Sequence, residues 1–327
     1  MSQNEDKFWE NVIGVIIIVL FFLFSGCGGS GSGSAPKVDP IPPTVTPVQT
    51  PVPIGAVEIE IWTNDTKAKW SHQVTGQFNE KQVKTTGGDP VFVHVKQHDS
   101  GDFPVLIEGL AGETKNGPTI LSPGTIAWVN AADVLWQDIK GRSLVSGACP
   151  PLAYAPIGFG IWPSMAEAMG WPDAPIGWSD VIDLAADPEG WASYGRPEWG
   201  EFRFGHTHPA YANSGLLSMT GFVHGVVDSE GQLTAAQVYE AEEAMRALEQ
   251  VTSKYGRQAP ALLELMARQG PSYLHGAAVP EADTVRFNVE RSDELQFPLA
   301  FIFPSGGTIW ADHPICILDN ADWVSED

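Results

Sequence analysis

Apolar and polar residues alternate along three short segments in the first half of the chain, and each segment is followed by a stretch with helical periodicity. Residues 57–62 alternate as a strand does, and Trp70, Val74 and Phe78 then recur at every fourth position. The three predicted strand–helix pairs are 57–62 with 64–78, 91–95 with 105–110, and 119–121 with a helix that ends at 136. Strands that alternate with helices predict a largely parallel sheet.

The second half of the chain has the same character after a segment, 144–161, that is rich in proline and glycine and is predicted to leave the first sheet in an extended form. The predicted elements after it are helices starting at Ser164 and Ser179, a strand and helix within 202–219, the longest helix from Thr234 to 254–256, a helix at 260–269, a strand at 297–303 and a partly extended piece at 310–318.

This order predicts an α/β protein with two lobes. Lobe one is expected to comprise residues 57–156 and lobe two residues 157–295, and residues 296–327 are expected to return to lobe one. In parallel sheets, ligands bind at the carboxyl ends of strands. The loops at those ends in lobe one are 63–66, 99–101 and 122–123.

The N-terminal region predicts export and a lipid anchor. Residues 12–24 form an apolar run that is shorter than the roughly 20 residues needed to span a bilayer, and this length favours a signal peptide over 1–26. Residues 24–27, Phe-Ser-Gly-Cys, resemble a bacterial lipobox, so Cys27 is predicted to carry lipid. The alternative is an uncleaved membrane anchor. Residues 27–56 are rich in Gly, Ser and Pro, which is typical of a tether.

The charge of the chain excludes some partners. The sequence has 18 Lys and Arg against 40 Asp and Glu, a net charge of -22, of which residues 1–26 contribute only −2. Nucleic acids and anionic membrane surfaces bind basic protein surfaces, so neither is expected as a partner of the folded part.

The segment 202–219 contains the side chains that are best suited to bind a ligand. A predicted strand leads into His206, Thr207 and His208, and Asn213 or Ser214 then opens a helix. Unpaired N–H groups at a helix start suit a ligand with oxygen acceptors. The alternative is an ordinary strand–helix connection whose histidines have backbone partners.

Two other interpretations of this chemistry are weaker. The pair His206-x-His208 resembles the metal-binding pair of amidohydrolases, but it follows more than half of the chain, and the further ligands (His224, His275 or His313) cannot be placed. The 12 tryptophans would suit a sugar platform or, more commonly, a hydrophobic core. No nucleophile motif or phosphate loop is present, so neither an enzyme nor a cofactor is predicted.

The order of motifs resembles the type II periplasmic solute-binding proteins of bacterial ATP-driven (ABC) importers. The resemblance runs from residue 57 to the C-terminus and rests on the segments 61–67, 100–101, 118–123, 165–172, 177–180, 206–209 and 213–216. It is nearest to the molybdate- and sulfate-type branch and to extracellular lipoproteins that sometimes carry a von Willebrand type A domain downstream. In this family two crossing strands join the lobes, each lobe has a mixed, mostly parallel sheet with helices on both faces, and the ligand lies between the lobes.

The resemblance implies a site and a partner. The ligand would be a small molecule or ion, such as an oxyanion, and the partner an ABC transporter permease. The implied ligand-binding residues are Asn64, Thr66, Ser100 and Ser122 of lobe one, His206, Thr207, His208, Asn213 and Ser214 of lobe two, and the cleft aromatics Tyr154 and Tyr273. Protonation of His206 or His208 would strengthen the binding of an anion at mildly acidic pH.

Three further expectations follow from the same resemblance. Cys149 and Cys316 are expected to be neighbours near the hinge, where a disulfide is feasible if their Cα atoms lie within about 7 Å. The family continues with lobe-one helices where this sequence ends, which implies that the chain is truncated or split. The alternative function is a cell-surface interaction or adhesion module with the same fold.

The lipid anchor is tested by intact-mass analysis of the membrane fraction. We expect a mature chain that begins at Cys27 and carries lipid, because a lipobox cysteine becomes the N-terminus after cleavage. The Cys27→Ser variant is the control and should keep residues 1–26. An unmodified Cys27 that is still attached to the apolar run would leave only the transmembrane-anchor interpretation.

Overall fold

The computed structural model describes residues 51–113, 116–229, 231–293, 295 and 298–324. The predicted signal peptide and Cys27, most of the tether, and the last three residues lie outside this part. No helix within the described ranges is both long and apolar enough to cross a membrane.

Lobe one is a four-stranded sheet in which β3 (Ile120–Ser122) lies between β10 (Cys316–Ile317) and β1 (Val57–Thr63), and β2 (Val91–Gln97) lies on the other side of β1. Strands β1, β2 and β3 are mutually parallel, and β10 runs antiparallel to β3. The elements of the first half are β1 (Val57–Thr63), α1 (Asp65–Glu80), β2 (Val91–Gln97), α2 (Phe103–Gly109), β3 (Ile120–Ser122) and α3 (Ile126–Lys140). All three predicted strand–helix pairs are therefore present.

Lobe two is built on a sheet with the strand order β6-β5-β7-β4-β8, and β9 pairs with β4. Its elements are β4 (Ala155–Ile161), α4 (Pro163–Ala168), α5 (Trp178–Ala186), β5 (Phe204–Thr207), α6 (Asn213–Val227), α7 (Ala235–Glu240), α8 (Glu242–Val251), β6 (Thr252–Gly256), α9 (Ala259–Gln269), β7 (Gly276–Pro280), α10 (Glu281–Glu290), β8 (Ala300–Ile302) and β9 (Trp310–Ala311); β10 (Cys316–Ile317) belongs to lobe one. Strands β5, β6 and β7 are parallel, whereas β4 is antiparallel to β7 and β8.

Each lobe has its own hydrophobic core. Trp62, Phe103 and Trp136 are buried in lobe one, and Phe159 and Trp178 pack together in lobe two. Six of the 12 tryptophans are buried in these cores or beside them, and none lines the pocket between the lobes described below: Trp62, Trp128, Trp136, Trp162, Trp178 and Trp191. The core interpretation of the tryptophans therefore fits these six.

Several elements differ from the sequence-based expectation, and β7 and α10 were not predicted at all. The predicted long helix from Thr234 is two short helices, α7 and α8, followed by the strand β6, because the chain joins the exposed edge of the lobe-two sheet at Thr252. The late strand β8 pairs with β4 and so belongs to lobe two. The chain reaches the lobe-one sheet only at β10, well after residue 296.

The chain crosses between the lobes twice, and the two crossings lie side by side. Ala155 and Pro156 pair with β9, and a bridge joins Pro151 to Pro314 further towards lobe one. At the end of this ladder Cys149 and Cys316 form a disulfide, with their Cα atoms 4.6 Å apart and 167 residues between them in sequence. These two crossing segments form the hinge.

Reduction of this disulfide should destabilise the protein. A cross-link that closes a loop of this length restricts the unfolded chain strongly, so we expect the Cys149→Ser/Cys316→Ser variant to lose about 2–5 kcal/mol of unfolding free energy. Urea titration with and without dithiothreitol measures this loss. The reductant should lower the midpoint of the wild type and leave the double variant unchanged, and an equal effect on both would contradict the prediction.

A buried acid on α10 should lower the stability at neutral pH. Asp283 is 1% exposed; its Oδ1 accepts a hydrogen bond from Arg286 (2.8 Å), while its Oδ2 has no partner among the described residues. Burial raises the pKa of Asp283 to about 6. The folded state therefore holds a proton that the unfolded state has lost, and stability falls as the pH rises from about 4 to 6.

Asp283→Asn should therefore stabilise the protein at pH 7.5 by about 1–3 kcal/mol, and the gain should shrink towards zero at pH 4. Urea unfolding at both pH values measures the difference. Asp138→Asn, on the exposed face of α3, is the matched control. A gain for Asp283→Asn that is equal at both pH values would show that the ionisation of Asp283 is not its source.

Candidate functional site

The two lobes meet where β1 of lobe one and β5 and β7 of lobe two reach their carboxyl ends. Helix α1 begins with Asp65 directly after β1, and α6 begins with Asn213 a short loop after β5. Both helix starts line one pocket between the lobes. This is the edge at which parallel sheets place their ligands.

The pocket lining has polar and apolar parts. The polar residues are Asp65 and Thr66 from lobe one, Asn213 and Ser214 from lobe two, and His313 from the returning hinge segment. The apolar residues are Ala155, Ala212, Pro280 and Ala311. The pocket measures about 310 Å³ including the part open to solvent, and its enclosed part is hardly larger than one water molecule. The lobes are therefore closed on each other.

The start of α6 is arranged to leave its N–H groups free. Ala212 occupies the N-cap position and has no side chain that can accept their hydrogen bonds. The Ser214 hydroxyl hydrogen-bonds the Thr207 hydroxyl (2.7 Å), and the Asn213 Oδ1 accepts a hydrogen bond from the Trp128 indole (3.1 Å). These side chains are thereby fixed, and the positive end of the helix dipole faces the pocket.

Asp65 places a carboxylate at the other side of the pocket. Burial raises the pKa of Asp65, the backbone N–H groups of Thr66 and of Asp65 itself lower it, and the charge of Asp99 raises it further. No Lys, Arg or His nitrogen in the described ranges lies within ion-pair distance of this carboxylate. The start of α1 is thus already next to the negative charge of Asp65. A negatively charged group of a ligand would bind poorly there.

A buried lysine lies near the pocket but is engaged elsewhere. The Lys67 ammonium donates hydrogen bonds to the Ser122 hydroxyl (2.7 Å) and to the Pro123 carbonyl (2.8 Å), and the Ser122 hydroxyl donates to the Pro314 carbonyl (2.7 Å). Burial lowers the pKa of Lys67 to about 7. Lys67 therefore connects α1 to the loop after β3 and to the hinge, and it does not line the pocket.

His313 lines the pocket, although the sequence suggested it only as a possible further metal ligand and not as a residue of the site between the lobes. The residue is 5% exposed, and its Nδ1 has no partner among the described residues. Its backbone has φ of 42°, an uncommon value for a residue other than glycine, and its carbonyl accepts from the Leu152 N–H (3.1 Å). Burial, then the charge of Lys67, lower the pKa of His313 to about 4, so the imidazole is neutral at pH 7.

Of the four lobe-one residues implied by the resemblance, only Thr66 lines the pocket. Asn64 is buried beside it, with its Oδ1 lacking a partner among the described residues. The Ser100 hydroxyl accepts from the Gly124 N–H (3.2 Å), and Ser122 holds Lys67. These two serines therefore fix the loops that surround the pocket.

In lobe two, Asn213 and Ser214 line the pocket. Thr207 lies outside the lining, and its hydroxyl forms a hydrogen bond with the Ser214 hydroxyl. His206 is fully buried inside lobe two, where its ring nitrogens meet the Thr207 carbonyl (2.9 Å) and the Glu249 carboxylate (3.1 Å). It points away from the pocket because alternate residues of a strand face opposite sides of the sheet.

The remaining implied residues lie outside the pocket lining. His208 packs beside the rings of Tyr211 and Tyr255, and burial lowers its pKa, which disfavours the extra positive charge expected at mildly acidic pH. Tyr154 is 63% exposed at the hinge, and Tyr273 packs against the Lys254 ammonium. Within the described ranges, no group of three or more His, Cys, Asp or Glu side chains is arranged to hold a metal ion.

Comparison with known proteins identifies the fold. No family model and no curated protein matches the sequence. Among solved structures, the periplasmic binding protein P5PA matches with a TM-score of 0.52 at 11% identity, covering 81% of this chain and 77% of that one. The sulfate-binding protein SubI from Mycobacterium tuberculosis H37Rv matches with a TM-score of 0.50 at 10% identity, covering 82% of each chain.

A third similar structure is the substrate binding protein of the ABC transporter from Agrobacterium tumefaciens, with a TM-score of 0.52 at 10% identity, covering 81% of this chain and 70% of that one. All three matches include both lobes, since they cover about four-fifths of the chain. The predicted fold class is therefore confirmed: the chain has the two-lobed α/β fold of periplasmic binding proteins.

Proposed function

We propose that this protein is an extracytoplasmic solute-binding lipoprotein that captures a small ligand between its two lobes and delivers it to an ABC importer. The observation that carries the proposal is the pocket between the lobes, because both lobes and the hinge contribute polar side chains to it. A ligand that bridges the lobes would stabilise the closed arrangement.

Two further contacts between the lobes suit a reversible closure. The Gly101 N–H donates to the Tyr211 carbonyl (2.9 Å), and Arg257 forms an ion pair with Asp99. The Arg257 side chain is well exposed, so this pair contributes little net stability. Each lobe keeps its own core, and we infer that the lobes separate without unfolding.

The start of α6 supports a ligand that carries an oxygen-acceptor group. Its free N–H groups and the positive end of its dipole favour an anionic or carbonyl oxygen. This part of the pocket matches the oxyanion expectation, although a binder of simple oxyanions would then have to tolerate the carboxylate of Asp65 in the same pocket. The molybdate- and sulfate-type branch remains a proposal based on the sequence resemblance.

The lipid on Cys27 and the tether over 27–56 would hold the binding lobes near a membrane transporter. A flexible Gly/Ser segment followed by a Pro-rich one spaces a domain from its anchor without fixing its orientation. The permease as a partner rests on the resemblance of the sequence to importer components.

The proposal is tested by thermal shift of the full chain in detergent micelles with a panel of small oxyanions, sugars and amino acids. A true ligand at 100-fold over its dissociation constant should add about 2.7 kcal/mol of stability, which is readily measured. If no compound of the panel raises the melting temperature, ligand capture is overturned and the cell-surface interaction module is favoured.

Closure is tested by a substitution that prevents the lobes from meeting. A methyl group at Gly101 would lie 1.9 Å from the Ala210 carbonyl oxygen of the other lobe, so Gly101→Ala should hold the lobes apart. We expect at least a tenfold loss of affinity for the compound identified by the panel, with both lobes still folded. Calorimetry measures the affinity.

Gly76→Ala is the matched control, because a methyl group there meets nothing within 4 Å. Its affinity should equal that of the wild type. If Gly101→Ala also binds with wild-type affinity, the ligand does not require the closed arrangement of the lobes.

A further inference from the structure

The pocket contains an acid without a counter-ion. The described residues that line it include Asp65 but no lysine or arginine. The nearby cations have other partners: Lys67 is held by Ser122 and Pro123, Arg286 by Asp283, and Arg257 by Asp99. A partly buried carboxylate that lacks an ionic partner is costly, and a bound cation would relieve this cost.

The opposite side of the pocket has the reverse polarity. The N–H groups at the start of the 15-residue helix α6 favour a negative group, and this helix belongs to lobe two whereas Asp65 belongs to lobe one. A ligand with a positive and a negative end would therefore contact both lobes at once.

An unpartnered buried side chain lies in the same pocket. The Nδ1 of His313 has no hydrogen-bond partner among the described residues although the residue is 95% buried, and the imidazole is neutral. A neutral imidazole nitrogen accepts a hydrogen bond from an N–H donor in one tautomer. Leaving such a group unpaired is unfavourable, which points to a hydrogen-bonding ligand at this position.

We propose that the ligand is a small zwitterion whose primary ammonium group binds Asp65 and His313 and whose carboxylate binds the start of α6. Because the enclosed part of the pocket is hardly larger than one water molecule, the lobes would close around this ligand less tightly than in the present structure. This inference rests on the proposed function and specifies the ligand class of that site. A quaternary ammonium group is a poorer fit, because it donates no hydrogen bond and needs aromatic rings, and the described residues that line the pocket include no Phe, Tyr or Trp.

The charges around Asp65 predict how binding depends on pH. The acidic neighbours of Asp65 are Asp99, from the loop after β2, and Asp283, from α10, and the basic neighbour is Arg286, also from α10. Two further titratable groups are Lys67 on α1 and His313 in the hinge. Burial raises the pKa of Asp65. An ammonium ligand needs the ionised carboxylate, so its affinity should fall as the pH falls, whereas protonation of Asp65 would favour a simple anion.

The test is calorimetry on the full chain in detergent micelles with matched probes. Glycine, L-alanine and L-serine carry both charged groups, N-acetylglycine and lactate lack the ammonium group, glycinamide lacks the carboxylate, and sulfate is a simple oxyanion. We expect at least one of the three amino acids to bind, at least 30-fold more tightly than the probes that lack either group. Its affinity should be lower at pH 4 than at pH 7.5, because the pKa of Asp65 is raised above its ordinary value of 3.8.

Asp65→Asn should weaken the binding of that amino acid at least 30-fold and should remove its pH dependence in this range. His313→Gln should cause a smaller loss, since an amide oxygen can still accept a hydrogen bond. Asp138→Asn, which is exposed on α3, is the control and should bind like the wild type. The probe comparison and the pH profile use the wild type, so they test the inference even if a variant fails to fold.

The outcomes separate this inference from the proposed function. If sulfate, lactate or another compound without an amine binds and the three amino acids do not, the zwitterion inference is overturned and ligand capture stands. If Asp65→Asn folds and binds the amino acid as the wild type does, the inference is also overturned. If none of these probes and no compound of the broader panel binds, both proposals fail.

Discussion

The antiparallel contact between the two hinge segments is the constraint on which the rest of the structure depends. Residues 149–156 and 309–316 run side by side from lobe two to lobe one, through strand pairing, a bridge between prolines and the disulfide. Both crossings are therefore joined to each other as well as to the two lobes. The starts of α1 and α6 line the same pocket between the lobes, next to this ladder.

The hinge also contributes directly to the site. His313 lies between the proline bridge and β9, and its backbone is held by Gly124 of lobe one and Leu152 of the other crossing segment. The buried ammonium of Lys67 connects α1 to the loop after β3, and through Ser122 to the Pro314 carbonyl. Pocket geometry and hinge geometry are therefore coupled through a few hydrogen bonds.

Local sequence patterns were sufficient for elements whose signals are strong. The alternation of β1 and the capping box at Thr234 placed their starts correctly. The strand β6 was missed because it lies at a sheet edge: Tyr255 is half exposed, and the segment has no apolar alternation that separates it from the preceding helix. For β8 the strand itself was predicted, but its partner strand is chosen by tertiary packing.

The sequence by itself determined the α/β class, the division into two lobes, the approximate positions of most helices and strands, and the polar character of the loops that surround the pocket. Only the tertiary structure decided which polar residues face the pocket. In the tertiary structure His206 faces the interior of lobe two, and Ser100 and Ser122 form hydrogen bonds that hold the loops. His313, which lines the pocket, comes from a segment without a recognisable motif. The physical reason is that the pocket joins five chain segments spread from residue 65 to residue 313, and local patterns do not encode the orientation of one segment relative to another.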